Sequence, residues 1–171
     1  MTEKEIETII KRALDNFLKD IKQKHWIGRE NEAISLFVFG HLLKEVKPNS
    51  IFYDASQIAI ECAVLQNPGS VKRKGKHQVR KDLIIWHNPG MNCWNENKEP
   101  KNTPLAIMEW KLLGFRKPNK GELKNSEYDM QWLKNFSSGK NNFIGYAVTL
   151  DISKGNYNLS VKRVHQGECV W

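Results

Sequence analysis

The sequence has few cysteines, and none of them forms a metal-binding or disulfide pattern. The 171 residues include three, Cys62, Cys93 and Cys169. Their number is odd, their spacings are long and no C-x-x-C pair occurs, which argues against a disulfide scaffold and a cysteine-rich zinc site. The five histidines are scattered, without metal-ligand spacing to a cysteine or carboxylate. We therefore expect reduced thiols, as in an intracellular protein.

Long apolar runs are also missing from the sequence. The first residues, MTEKEIETIIKR, are charged from the start and include no apolar stretch of the kind found in signal peptides. No apolar run approaches the roughly 20 residues that a membrane-spanning helix needs. The sequence thus predicts neither a signal peptide nor a membrane partner, and the cytoplasm is the expected location.

Acidic residues are outnumbered by basic ones, 19 against 27, which gives a formal net charge of +8 and a pI near 9.4. An excess of this size favours a polyanionic partner such as nucleic acid. The 40% of hydrophobic residues are enough to form a core, and the length fits one domain over residues 1–171.

The apolar residues change their spacing along the chain, which divides it into helices and strands. Spacings of three and four residues predict helices, and alternation or short β-rich runs predict strands. The first helix, over residues 3–24, could be a peripheral addition to the domain. The order is α-α-β-β-β-α-β-β, which indicates one α/β or α+β unit. The predicted helices cover residues 3–24, 30–46 and 122–137, and the predicted strands cover 57–65, 82–86, 105–111, 143–152 and 157–165.

Three charged residues lie at the edges of two apolar strand runs. Asp82 begins one run, in RKDLIIW, and Glu109 and Lys111 lie near the end of another, in LAIMEWK. Residues two apart in a strand project from the same face, so Glu109 and Lys111 share one. If the two strands are antiparallel neighbours, all three residues converge at one end of the sheet. Two carboxylates there favour a hard divalent cation, and the lysine can orient water or stabilise developing negative charge.

This pattern, in this order of elements, resembles the PD-(D/E)xK nuclease superfamily, which includes restriction endonucleases and Holliday-junction resolvases. The resemblance covers about residues 30–152 and implies a restriction endonuclease-like core, a mixed central β-sheet flanked by helices. It implies Asp82 and Glu109 as metal ligands, Lys111 as the catalytic lysine and the main-chain carbonyl of Trp110 as a further ligand. The residue before the aspartate is usually proline in the family; here it is Lys81. The implied cofactor is Mg²⁺, with Mn²⁺ as a substitute.

Many members of the superfamily carry a further glutamate on the first core helix. Glu30 and Glu32 are the candidates here, and the helical spacing alone does not choose between them. We favour Glu32 as the catalytic residue because its place before Ala33 resembles the family. Both could instead be first-turn acids that complement the helix dipole. Gln131, on the helix after E-W-K, is a weaker candidate that could equally be an exposed glutamine.

A basic segment precedes Asp82 and predicts contacts with a phosphate backbone. The alternative is a solvated hairpin loop. The candidate nucleic-acid-binding residues are Lys72, Arg73, Lys74, Lys76, Arg80 and Lys81.

Three functions remain open from the sequence. The first is a Mg²⁺-dependent endonuclease acting on DNA rather than RNA, in restriction, repair or defence against mobile elements. The second is a catalytically silent nucleic-acid-binding module of the same fold. The third is an inhibitor or interaction protein whose basic face meets an acidic partner. The short chain leaves little room for a separate recognition domain, which suggests a homodimer or a subunit of a larger complex.

Overall fold

The computed structural model describes residues 2–24, 27–67, 78–99, 101–114, 120–140 and 142–170. These residues form an α+β fold in which a six-stranded, mostly antiparallel sheet packs with three α-helices. The predicted order of elements is confirmed, with a short sixth strand in addition. The helices are α1 (Thr2–Lys24), α2 (Glu30–Gly40) and α3 (Lys120–Ser137), and the strands are β1 (Ile58–Leu65), β2 (Gln78–Ile85), β3 (Ala106–Leu113), β4 (Ile144–Asp151), β5 (Asn158–His165) and β6 (Glu168–Cys169).

Two predicted boundaries were wrong. The second helix was expected to reach residue 46, but α2 ends at Gly40 and a separate 3₁₀ turn spans Leu42–Glu45. The second strand was expected to begin at Asp82, but β2 begins at Gln78. Asp82 therefore lies inside β2. The hydrophobic pattern missed this because Arg80 and Lys81 are charged strand residues.

The strands lie in the order of the sequence, from β1 to β6. Neighbouring strands are antiparallel except β3 and β4, which are parallel. A parallel pair needs a crossover connection, and α3 supplies it. The parallel ladder is long, running from Ala106 opposite Ile144 to Leu113 opposite Asp151. The β2–β3 ladder is short and ends where Leu83 pairs with Met108.

Each face of the sheet carries its own apolar cluster. One cluster joins α1 and α2 to β3 and β4 through Met108 and Trp110. The other packs α3 against the opposite face through Ile107 and Trp132. Successive residues of β3 thus point to opposite sides, as expected for a strand buried on both faces.

The first helix is part of the main core. Its buried side chains are Ile6, Ile9, Ile10, Ala13, Leu14, Phe17 and Ile21. Phe17 is fully buried, and its ring meets Phe37 of α2 and Trp110 of β3 edge-on, with centroids 5.9 and 5.6 Å apart. The idea of a peripheral helix is therefore corrected, because α1 supports the strand that carries Glu109 and Lys111.

The regular alternation of side chains breaks in the middle of β1 and β2. Lys81 and Ile84 both face the α3 cluster, although they are three residues apart. An unbroken strand would place residues two or four apart on one face. On β1, Glu61 lies between the residues that pair with Leu83 and Lys81, and its φ is +51°. A residue other than glycine is uncommon in this region, and such irregularities are frequent beside functional sites.

Within the described residues, no helix combines the length and apolar character needed to cross a membrane.

Replacing Phe17 with alanine tests the structural importance of α1. We expect Phe17→Ala to lower the free energy of unfolding by about 3–5 kcal/mol, because the cavity would open among aromatic side chains that cannot collapse into it. The neighbouring exposed residue Asn16 supplies the control, and Asn16→Ala should change stability by less than about 0.5 kcal/mol. Urea denaturation monitored by circular dichroism measures both, and equal midpoints would contradict the assignment.

Candidate functional site

The site is formed at a fork between β2 and β3. The ladder between these strands ends at Leu83 and Met108, yet both strands continue. Just beyond the last pair, the Asp82 carboxylate accepts a hydrogen bond from the Trp110 N–H at 2.7 Å. The carboxylate thereby accepts from a backbone N–H of β3 that lies beyond the last pair of the ladder and has no partner in the β2 backbone.

Glu109 lies beside Asp82 in the fork. The residue is 5% exposed, and its side chain faces α3. One carboxylate oxygen, Oε1, accepts from the ammonium of Lys81. The other, Oε2, lies 3.4 Å from the Asp82 backbone nitrogen. The predicted antiparallel pairing of these strands is confirmed, and it brings the two acidic residues together.

Lys111 lies between carboxylates from two different helices. Its Nζ is 3.8 Å from Oε1 of Glu30 on α2 and 3.4 Å from Oδ2 of Asp129 on α3. The second oxygen of Glu30 accepts the backbone N–H of Leu112 at 3.2 Å, which ties α2 to β3. The structure therefore collects Glu30, Asp82, Glu109, Lys111 and Asp129 into one group, which we call the acid cluster.

Asp129 was missed by the sequence reasoning, although its position carries a signal. It lies three and four residues before the buried Trp132 and Leu133, which places it on the apolar face of α3. An acid on the buried face of a helix needs a partner, and Lys111 supplies it.

The structure places Glu30, and not Glu32, in the acid cluster, which corrects the preference for Glu32. The Glu32 carboxylate turns back to the start of α2, where Oε2 accepts the backbone N–H groups of Gly28 at 2.9 Å and Arg29 at 3.0 Å. Glu32 thus caps its own helix. The two glutamates are two residues apart and project in different directions, which the apolar pattern alone did not resolve.

Lys81 was predicted to contact nucleic acid, but its side chain is 4% exposed and cannot lie on a binding surface. Arg80 is exposed on β2 and stays available to a phosphate. Gln131 is exposed and donates from its amide to Asn135 at 2.9 Å, without a described contact to the acid cluster. The remaining members of the basic segment, Lys72, Arg73, Lys74 and Lys76, lie outside the described residues.

Burial and like charge shift the acidity of the acid cluster. Burial raises the pKa of Glu109 to about 8; Lys81 opposes the shift, and Asp82 and Asp129 add to it. Burial also raises the pKa of Glu30, against the opposing effect of Lys111. Burial of Lys111 lowers its own pKa, but Glu30, Asp129 and Asp82 outweigh that effect and raise the pKa above its ordinary value. Lys111 is therefore charged at neutral pH.

The charges at the site do not balance. Four carboxylates, those of Glu30, Asp82, Glu109 and Asp129, meet the two ammonium groups of Lys81 and Lys111. With all four ionised, the formal excess is two negative charges. A pKa of about 8 keeps Glu109 largely protonated at neutral pH without a cation, and a divalent cation, for which carboxylate oxygen is a preferred donor, would favour its ionised form. In the part of the chain that the structure describes, no three Asp, Glu, His or Cys residues are arranged to hold a metal. Asp82 and Glu109 bring two carboxyl groups, the donor type of a hard cation, together at the fork.

A cleft of about 290 Å³ opens beside the acid cluster, between α3 and the far strands of the sheet. Its position follows from the register, because Thr149 pairs with Lys111 and Ser160 pairs with Thr149. The hydroxyl groups of Thr149 and Ser160 therefore continue the row that starts at Lys111. The lining residues are Glu127, Met130, Gln131, Ala147, Thr149, Ser160 and Lys162.

Comparison with known proteins gives no relative, since no family model, curated protein or solved structure matches this chain.

The different positions of the two helix glutamates can be tested through stability. We expect Glu32→Ala to lower the free energy of unfolding by about 1 kcal/mol, because two N-terminal N–H groups lose their acceptor. Asn31, which is exposed in the same turn, is the control, and Asn31→Ala should have a smaller effect. Urea denaturation measures the difference. If Glu32→Ala and Asn31→Ala unfold at the same midpoint, Glu32 is not the cap.

Proposed function

We propose that this protein is a Mg²⁺-dependent nuclease of the PD-(D/E)xK type that hydrolyses phosphodiester bonds in DNA. The observation that carries the proposal is the meeting of Asp82 and Glu109 at the fork, within a cluster of four carboxyl groups that has two ammonium partners. The parallel β3–β4 pair connected by α3, with β1 and β2 antiparallel beside it, supports a restriction endonuclease-like core.

The fork supplies a donor set for the cation. Asp82 and Glu109 would hold it through carboxylate oxygens. The N–H and C=O of one strand residue point toward the same neighbouring strand. Since the Trp110 N–H points to Asp82, its carbonyl also lies on the β2 side, beyond the end of the ladder. The Trp110 carbonyl is therefore a suitable third ligand. A bound Mg²⁺ would supply Lewis acidity toward the phosphate.

The remaining groups position charge and substrate. Glu30 and Asp129 hold the Lys111 ammonium from two sides, so it is fixed before substrate arrives. A fixed cation of this kind can orient the attacking water or stabilise negative charge on the phosphate in the transition state. The cleft lined by Thr149, Ser160 and Lys162 provides hydroxyl and ammonium donors for the phosphodiester backbone beside the cleaved bond.

The activity is tested by incubating the protein with supercoiled plasmid, linear duplex and branched DNA in Mg²⁺. We expect cleavage that EDTA abolishes and Mn²⁺ restores. Asp82→Asn, Glu109→Gln and Lys111→Met should each lower the rate at least about a hundredfold, because each removes a charge that acts on the reacting phosphate or its cation.

Glu168→Gln and Lys44→Met are matched controls for the loss of an acid and a lysine. Both residues are exposed, and Lys44 lies beyond the end of α2 opposite to Glu30. These variants should cleave like the unaltered protein. The proposal fails if no substrate is cut, or if the variants at the fork cut as fast as the two controls.

A catalytically silent nucleic-acid-binding module is the second candidate. One observation favours it, since Oε1 of Glu109 is already engaged by the Lys81 ammonium. Such a module would bind DNA with strong salt dependence, cleave none, and lose no affinity when Glu109 is replaced.

The cleft can be tested by binding, independently of cleavage. In the Glu109→Gln background, we expect Lys162→Ala to weaken binding of a short DNA strand. The slope of the logarithm of the binding constant against the logarithm of the salt concentration should also fall in magnitude by about one, because one phosphate contact is lost. Lys44→Ala should change neither quantity. Fluorescence anisotropy at several salt concentrations measures both, and equal slopes for the two lysine variants would place the DNA elsewhere.

A further inference from the structure

Lys81 occupies an unusual place for a lysine next to a proposed metal ligand. Its side chain is 4% exposed, and its Nζ donates to Oε1 of Glu109. The same Nζ lies 3.8 Å from the centroid of the Trp132 ring on α3. The ammonium is therefore enclosed between a carboxylate and an aromatic face.

A buried ammonium is costly unless it is paired, since it loses its hydration shell. Glu109 supplies the opposite charge, and the Trp132 ring adds a cation–π contact. Because Lys81 is buried, it does not reach a phosphate at the surface. Its contact with Glu109 connects it instead to the fork.

The two oxygens of Glu109 have different surroundings. Oε1 is held by Lys81, whereas Oε2 lies on the side of Asp82, 3.4 Å from the Asp82 backbone nitrogen. A glutamate side chain has three rotatable bonds, and a contact at one oxygen fixes where the other one points. Trp132 in turn limits where the Lys81 ammonium can move, so α3 contributes to the orientation.

We propose that Lys81 is the positioning residue for Glu109: by holding Oε1, it directs Oε2 toward Asp82, where a divalent cation binds. This inference rests on the proposed function, since it concerns the cation of the same site. Lys81 stands where the family that this chain resembles usually has proline, which has no side-chain donor.

A competition between the Lys81 ammonium and the cation would change the affinity in the opposite direction. If the ammonium mainly competed with the cation for Glu109, its removal would make cation binding tighter. If it positions Glu109, its removal weakens binding. Partners that orient a metal ligand typically contribute about 10- to 100-fold to metal affinity. The direction of the change therefore decides between the two effects.

The experiment measures Mn²⁺ binding to the intact protein by electron paramagnetic resonance of the free ion, without substrate and at one fixed pH. We expect Lys81→Met to weaken Mn²⁺ binding at least about tenfold, because Oε1 of Glu109 loses the ammonium group that holds it. Lys81→Arg keeps a cationic donor for Oε1 of Glu109 and should bind Mn²⁺ more tightly than Lys81→Met. Lys44→Met, at an exposed lysine, should bind Mn²⁺ normally.

A double variant shows whether Lys81 acts through Glu109. If it does, adding Lys81→Met to Glu109→Gln should weaken Mn²⁺ binding no further than Glu109→Gln alone. Methionine fills a similar volume and can pack on the Trp132 ring, so the variant should fold. Circular dichroism and urea denaturation verify this, and Lys81→Gln replaces Lys81→Met if that variant is not folded.

The outcomes separate this inference from the proposed function. Weaker binding in Lys81→Met, rescued by Lys81→Arg and absent in the Glu109→Gln background, supports the positioning role. Unchanged or tighter binding in Lys81→Met overturns it and leaves the proposed nuclease intact. If the unaltered protein binds neither Mn²⁺ nor Mg²⁺, both proposals are overturned.

Discussion

The hydrogen bond from the Trp110 N–H to the Asp82 carboxylate holds together the part of the protein on which the site depends. Where the β2–β3 ladder stops, each strand would otherwise expose unpaired backbone groups inside the fold, at a cost of about 1–3 kcal/mol for each group left unsatisfied. The carboxylate replaces the missing ladder partner. It therefore allows two strands to separate without losing their alignment, and the space between them is lined by acidic side chains.

The fork also explains how groups from both faces of the sheet reach one lysine. Glu30 comes from α2 and Asp129 from α3, and these helices pack on opposite faces. A continuous sheet would keep them apart. At Lys111, β3 has lost its neighbour β2, so no strand separates the two faces on that side. Behind this position, Phe17 of α1 packs on Trp110 and holds β3 in place. Each helix thus contributes to the site.

The sequence predicted the parts of this arrangement that depend on periodicity. Glu109 was found because it follows an apolar strand run, and Lys111 because it lies two residues further on the same face of the strand. Asp82 was found because antiparallel pairing brings it to Glu109. What periodicity cannot show is the direction of a side chain at a helix start or a strand irregularity. Glu30 and Glu32 have equivalent patterns, and only the contacts of their carboxylates separate them. Lys81 resembled a loop lysine in the sequence. It is turned inward by an irregularity in β2, where side chains stop alternating between the two faces, and no sequence pattern marks that irregularity.

The charges at the fork help to distinguish a functional site from a structural ion-pair network. A structural network gains most when each buried charge has a partner, since an uncompensated buried charge costs several kcal/mol. Here Glu30 and Asp129 share Lys111, Glu109 pairs with Lys81, and Asp82 binds a backbone N–H. Burial and the neighbouring acids hold the pKa of Glu109 well above its ordinary value despite Lys81. A carboxyl with a raised pKa, among other acids and beside an open cleft, is a feature of sites that bind or transfer charge. These features support the proposal that the fork binds a cation.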